Sequence, residues 1–124
     1  MANLAIIGIT DWAATQAQVL DVARRIDAGE QLPEGDYHLG FADAAQLLAE
    51  LPPRRLDTLR AIKRLGPVSI YAVAKALGRN YSNVHADVQK LIGHGLVDKQ
   101  PDGRVWVPWA DVVVKLDASL LSAA

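Results

Sequence analysis

The chain has 124 residues, of which 51% are hydrophobic and 22% are charged, and its formal net charge at pH 7 is −1. These values are typical of a folded globular protein and exclude intrinsic disorder as its main state. The sequence contains no cysteine, which excludes disulfides, a thiolate nucleophile and cysteine-ligated zinc.

Nothing in the sequence indicates a membrane segment or a secretion signal. Its apolar runs fall short of the roughly 18 residues that a membrane span requires. The first residues lack both the basic start and the small-residue cleavage site of a signal peptide. We therefore expect a soluble, cytoplasmic protein that makes no contact with a membrane.

The near-zero net charge conceals two segments of opposite sign. Residues 1–51 contain two basic and eight acidic residues, a charge of −6, whereas residues 52–107 contain ten basic and four acidic residues, a charge of +6. Residues 108–124 contribute −1. Because a basic segment of this size suits a polyanion, we expect two functional parts with different partners.

The acidic part predicts a strand, a helix and a second strand. The isoleucine-rich residues 3–9 are typical of a strand, and apolar residues at helical spacing predict a helix over residues 11–28. An acidic loop then precedes a short strand over residues 37–41 and a brief helix over residues 43–51. The boundary of this part lies at Pro52 and Pro53, where the charge changes sign and proline can begin a helix.

The basic part predicts three helices followed by a β-hairpin. The helices cover residues 53–65, 69–78 and 80–95, and the last two are joined by a short Gly-Arg-Asn turn. A Pro-Asp-Gly turn lies between the two strand-like runs that follow. This order is typical of a winged helix-turn-helix.

The predicted fold class is therefore α+β, a winged helix-turn-helix domain with an N-terminal strand-helix-strand extension. The three predicted parts are the acidic extension over residues 1–51, the DNA-binding domain over residues 52–109, and a C-terminal strand and apolar tail over residues 110–124.

The third helix of the basic part buries an apolar stripe and presents mostly hydrogen-bonding side chains on its other positions. Asn and Gln can bond adenine edges in the major groove, while the helix N-terminus and the cations of a wing favour phosphates. The residues predicted to contact DNA are Arg79, Asn80, Tyr81, Ser82, Asn83, His85, Gln89, Lys90, Lys99 and Arg104.

Residues 52–109 resemble small archaeal and bacterial winged helix-turn-helix DNA-binding proteins related to the MarR-like transcriptional regulators. The most specific pieces are RRLDTLRAI, GPVSIYAVAKALGR, NVHADVQKLIGHGLV and DGRVWVP. The resemblance implies sequence-specific DNA binding, usually as a dimer, and an antitoxin role, because such proteins often lie beside a small toxin gene. The chain departs from this pattern at Ala86, where such proteins often have arginine, so one implied DNA contact is missing.

Two interpretations of the acidic extension stay open. In the first, the helix over residues 11–28 and the apolar tail form a homodimer interface, which would set two recognition helices one DNA turn apart, about 34 Å. Its residues would be Trp12, Val19, Ile26, Leu120 and Leu121. In the second, acidic side chains bind a basic partner protein such as a nuclease-like toxin, through Asp21, Asp27, Glu30, Glu34 and Asp36.

The sequence indicates neither catalysis nor a metal site. Its carboxylates fall mainly at helix starts and turns, and it has no glycine-rich phosphate loop and no Ser-His-Asp grouping. His85 and His94 lie nine positions apart on one helix and so point to opposite faces. We expect no enzymatic activity, no metal and no cofactor.

These inferences predict a DNA-binding transcription regulator that acts as a homodimeric repressor of its own operon and as the antitoxin of a toxin pair. The expected partners are double-stranded DNA, a second copy of the chain and a basic protein. The alternative is a protein-interaction module whose winged helix does not bind DNA.

Overall fold

A computed structural model describes residues 3–10, 12–29 and 35–116. The described residues form five helices and five strands, which confirms the predicted α+β class. In chain order these elements are β1 (Ala5–Ile9), α1 (Trp12–Asp27), β2 (Tyr37–Phe41), α2 (Ala44–Glu50), α3 (Pro53–Leu65), α4 (Ile70–Leu77), α5 (Tyr81–Gly93), β3 (Asp98–Lys99), β4 (Val105–Trp106) and β5 (Val112–Val114).

The chain divides into two compact units. The first unit comprises the described residues of 3–48 together with residues 110–116, and the second unit is the continuous segment Ala49–Trp109. None of the described helices combines the length and apolar character that crossing a membrane requires.

The first unit is built on a three-stranded parallel sheet. β1 lies in the centre, with β2 on one side and β5 on the other. Parallel neighbours need a crossover connection, which α1 supplies between β1 and β2. Ala5 and Ile7, which share one face of the sheet, are fully buried. The strand predicted over residues 112–114 thus belongs to the same sheet as the N-terminal strand.

The described side chains of α1 are exposed throughout. Val19, Leu20 and Ile26 are 62%, 64% and 58% exposed, so an aliphatic stripe lies open along the helix. Of the other residues predicted at an interface, Trp12 begins α1. The remaining two, Leu120 and Leu121, lie outside the described residues.

Gly40 of β2 lies close to Thr10, the residue that follows β1, and this close approach favours glycine. The Thr10 N–H donates to the Phe41 carbonyl at 2.8 Å, and a Cβ on residue 40 would overlap the Thr10 hydroxyl and lie 3.0 Å from the Thr10 Cβ. We expect Gly40→Ala to lower the free energy of unfolding by about 1–3 kcal/mol, because the Thr10 side chain must move out of its place. Urea denaturation followed by circular dichroism measures this loss.

Gly8 provides a matched control, because it is the register partner of Gly40 in the sheet. A Cβ on residue 8 would meet only the Lys115 carbonyl oxygen at 3.4 Å. Gly8→Ala should therefore cost clearly less stability than Gly40→Ala, and equal losses would contradict the proposed overlap.

The second unit packs three helices and a hairpin around one apolar core. β3 pairs antiparallel with β4, and Val105 of β4 also exchanges two backbone hydrogen bonds with Val68, at 3.0 and 2.8 Å. The hairpin is thereby joined to the residues before α4. The buried core includes Leu59, Ile62, Val73, Val84, Val88, Leu91, Leu96, Val97, Val105 and Val107.

Local capping explains where α4 and α5 begin and where α4 ends. The Ser69 hydroxyl accepts from the Ala72 N–H at 3.1 Å, and the Asn80 side-chain oxygen accepts from the Ser82 N–H at 2.8 Å. Gly78 closes α4 in the left-handed conformation, with a φ of 62°. The predicted helices are confirmed. Leu65, at the last position of α3, is 41% exposed.

Candidate functional site

The outer side of α5 presents a row of exposed side chains. The helical repeat of about 100° per residue places them opposite the buried Val84, Val88 and Leu91. Within the described part of the chain, Asn83, Gln89 and Lys90 make no side-chain hydrogen bond or ion pair. We call the following five exposed residues the α5 outer face: Ser82, Asn83, Ala86, Gln89 and Lys90.

Three further predicted DNA contacts lie near the start of α5. Asn80 is exposed, but its side-chain oxygen is engaged in capping the helix. Tyr81 is 48% exposed, and its ring lies 5.8 Å from that of His85, which is half-buried. These two rings thus lie against each other beside the α5 outer face.

The hairpin carries two further predicted cations, one without an ion-pair partner among the described residues and one paired with a carboxylate. Lys99 is exposed at the end of β3. Arg104 donates to Asp102 from its backbone N–H at 3.0 Å and from its guanidinium Nε at 2.8 Å. These two hydrogen bonds hold the pKa of Asp102 below its ordinary value of 3.8. The bond from the Arg104 backbone N–H has the larger effect, and the bond from its guanidinium has the smaller. Asp102 is therefore ionised at neutral pH and pairs with Arg104.

Arg79, predicted as a phosphate contact, lies in an internal network that we call the Arg-Asp cluster, formed by Arg55, Thr58, Arg79 and Asp87. The Asp87 carboxylate accepts from Arg55 Nε at 3.2 Å, from the Thr58 hydroxyl at 3.1 Å and from Arg79 Nη1 at 2.9 Å. Arg79 Nη1 also lies 2.9 Å from the Thr58 hydroxyl oxygen. The cluster thus joins α3, the turn before α5, and α5 itself.

Sequence reasoning missed Asp87, although a usable signal exists. Asp87 is only 8% exposed, and on α5 it neighbours the core positions Val84, Val88 and Leu91 at helical spacing. A carboxylate on the inner side of an amphipathic helix needs charged or hydrogen-bonding partners. The sequence offers several nearby arginines but does not show which of them supply the partners.

An open groove of about 660 Å³ runs beside the cluster, between the first turn of α3 and α5. It shares Asn83 and Ala86 with the α5 outer face, so the two form one continuous surface. We call it the α3–α5 groove, and its lining residues are Pro52, Pro53, Arg54, Arg79, Asn83, Ala86 and Asp87.

No metal-binding arrangement is found among the described residues, where no group of three or more His, Asp or Glu side chains could hold an ion. His94 caps the end of α5, and its Nε2 lies 3.1 Å from a carboxylate oxygen of Glu50. His85, at the other end of α5, lies against Tyr81.

One known family resembles the second unit and the strand β5 that follows it. The model of the HVO_A0114 family matches residues 50–114, which is more than half of the chain. The chain belongs to the HVO_A0114 family. No curated protein and no solved structure matches the chain. The segment shared with the HVO_A0114 family runs from α3 through β5, and it contains the α5 outer face, the Arg-Asp cluster and the hairpin.

Proposed function

We propose that the chain is a sequence-specific DNA-binding transcription regulator. In this proposal Ala49–Trp109 is a winged helix-turn-helix domain, α5 is its recognition helix and the β3–β4 hairpin is its wing. The observation that carries the proposal is the α5 outer face, a row of exposed and mostly polar side chains on a helix that follows α4 after a short turn. A helix with such a face fits the major groove, which is wide enough to admit it.

The α5 outer face has the chemistry for reading bases. Asn83 and Gln89 carry amides that can donate to and accept from an adenine edge at once, and Ser82 can bond a base edge or a phosphate. Lys90 lies on the same face, where its ammonium group can bind a phosphate. Base contacts would specify the sequence, and phosphate contacts would fix the register of the protein.

The charge of the second unit supports the same proposal. Lys75, Lys90 and Lys99 are exposed, and none of them pairs with a carboxylate in the described part of the chain. Cations without internal partners can displace the counterions that surround DNA, which is the main source of nonspecific DNA affinity.

We further propose a cytoplasmic, non-enzymatic homodimeric repressor that acts on its own operon and serves as the antitoxin of a toxin pair. The resemblance of residues 52–109 to MarR-like regulators supports the repressor and antitoxin roles. The exposed aliphatic stripe of α1 supports dimerisation, because apolar patches of this kind commonly mark protein interfaces.

The second candidate function is a protein-interaction module that does not bind DNA. The observation that favours it is the same aliphatic stripe, with Val19, Leu20 and Ile26 all more than half exposed. In that case the stripe would bind a different protein, and the α5 outer face would have no nucleic-acid partner.

Salt dependence separates the two candidates. For a duplex from the DNA upstream of the coding sequence, we expect the logarithm of the binding constant to fall linearly with that of the salt concentration. The expected slope is about −3 or steeper, at roughly −0.9 per contacted phosphate. Fluorescence anisotropy over a series of salt concentrations measures it, and absent binding or a flat response would refute the DNA-binding function.

Two single-lysine variants provide the matched control. Lys90→Gln removes a cation of the α5 outer face, and Lys115→Gln removes an exposed lysine of the first unit. The salt slope of Lys90→Gln should be shallower than that of the unmodified chain by about 0.9, the contribution of one phosphate contact. The salt slope of Lys115→Gln should be unchanged.

A further inference from the structure

The α3–α5 groove is positively charged although a carboxylate lines it. Asp87 is offset by both Arg55 and Arg79, at 3.2 and 2.9 Å, and Arg54 adds a further cation. Glu50 and Asp57, which are close in sequence to the lining residues of α3, have other partners, since Glu50 lies against His94 and Asp57 pairs with Arg60 at 3.9 Å. The groove therefore suits an anion.

Arg54 is the one lining arginine whose side chain is exposed, and no carboxylate pairs with it in the described ranges. Its backbone, by contrast, is fixed. The Arg54 carbonyl accepts from Arg79 Nη1 at 3.2 Å, and it lies 3.1 Å from the Thr58 hydroxyl, whose single proton can go either to this carbonyl or to Asp87. The Arg-Asp cluster thus holds the Arg54 backbone at the groove wall and leaves its guanidinium available.

We propose that Arg54 binds a phosphate of the DNA backbone, in the strand that borders the α5 outer face. This inference rests on the proposed function and adds a contact that sequence analysis did not assign. Two observations favour a DNA phosphate over a free small anion. The groove is open, and it is continuous with the α5 outer face through Asn83 and Ala86, so a strand beside α5 passes directly over it.

The small side chain of Ala86 suits this arrangement. A methyl group at this position leaves the groove open beside α5, and the phosphate would be bound from the opposite wall, by Arg54. An arginine at position 86, as the resemblance would imply, would reach the DNA backbone from α5 itself. This chain has alanine there and would instead bind the DNA backbone from α3, through Arg54.

The test compares Arg54→Ala with Arg64→Ala by fluorescence anisotropy. The probe is a labelled duplex of mixed sequence, about 40 base pairs long, to which the protein can bind nonspecifically. Arg64 is an exposed arginine near the other end of α3 and does not line the groove. We expect Arg54→Ala to weaken binding by about 3- to 10-fold near 0.1 M salt and to reduce the salt slope by about 0.9. Arg64→Ala should leave both values close to those of the unmodified chain.

Arg54→Lys keeps the positive charge and should retain most of the salt slope, which distinguishes a phosphate contact from a structural role. Neither variant removes the backbone hydrogen bonds of Arg54, so both should melt close to the unmodified chain. If the unmodified chain binds the duplex with a steep slope and Arg54→Ala binds equally well, the assignment of Arg54 is overturned while the proposed function stands. If the unmodified chain does not bind DNA, both the assignment of Arg54 and the proposed function are refuted.

Discussion

Replacing Asp87 with alanine is expected to lower the free energy of unfolding of the second unit by about 3–5 kcal/mol. The carboxylate side chain is 11% exposed, and the side chains of its partners Arg55 and Arg79 are 16% and 21% exposed. Without Asp87, two largely buried guanidinium groups lose their carboxylate partner. An uncompensated buried charge costs far more than the lost contacts alone.

Thermal and urea denaturation followed by far-ultraviolet circular dichroism measure this loss. For a unit of this size, each kcal/mol shifts the melting temperature by about 4–8 °C, so the variant should melt far below the unmodified chain. Asp57→Ala is the control, because Asp57 and Arg60 form an ion pair with 54% and 80% exposed side chains. Surface pairs of this kind contribute about 0–1 kcal/mol, so similar losses in the two variants would contradict the role of the Arg-Asp cluster.

The second large effect is expected on DNA binding. Ala86→Glu would place a carboxylate where the α5 outer face meets the α3–α5 groove. We expect it to weaken binding to a mixed-sequence duplex by about 100-fold, or about 3 kcal/mol, because a like charge set against a phosphate costs several kcal/mol. The fold should be little affected, because position 86 is exposed on a helix and glutamate is a good helix former.

Two controls separate charge at this position from other effects. Ala45→Glu gives the same net charge at an exposed position of α2 and should change the affinity little. Ala86→Gln gives nearly the same added volume without charge and should fall between the unmodified chain and Ala86→Glu. If Ala45→Glu weakens binding as much as Ala86→Glu, the α5 outer face does not meet DNA.

The elements of the second unit could be predicted because their signals are local. Ser69 and Asn80 cap the helices that begin at Ile70 and Tyr81, and Gly78 ends α4, all within a few residues of the bonds they form. The Pro-Asp-Gly turn likewise lies within the hairpin that it closes. Such signals act over one helical turn or one hairpin, so one sequence contains them completely.

Contacts between distant segments could not be predicted in the same way. Asp87 meets Thr58 across 29 positions and Arg55 across 32, and no spacing rule selects these partners. Arg79, which by its position beside a helix N-terminus was predicted to bind phosphate, is turned inward by the same carboxylate. The open side chain of Arg54 in the groove depends on how α3 packs beside α5, which also requires the assembled fold.

The position of β5 beside β1 has a consequence for the order in which the protein can be completed during synthesis. All residues of Ala49–Trp109 leave the ribosome before Val112–Val114 do, although the strand with which they pair, Ala5–Ile9, is made before that whole segment. Until then β1 has a neighbour on one side alone, and its other edge carries backbone N–H and C=O groups without partners. An open edge of this kind can pair with another chain. The nascent first unit is therefore exposed to intermolecular strand pairing for as long as the second unit takes to be translated.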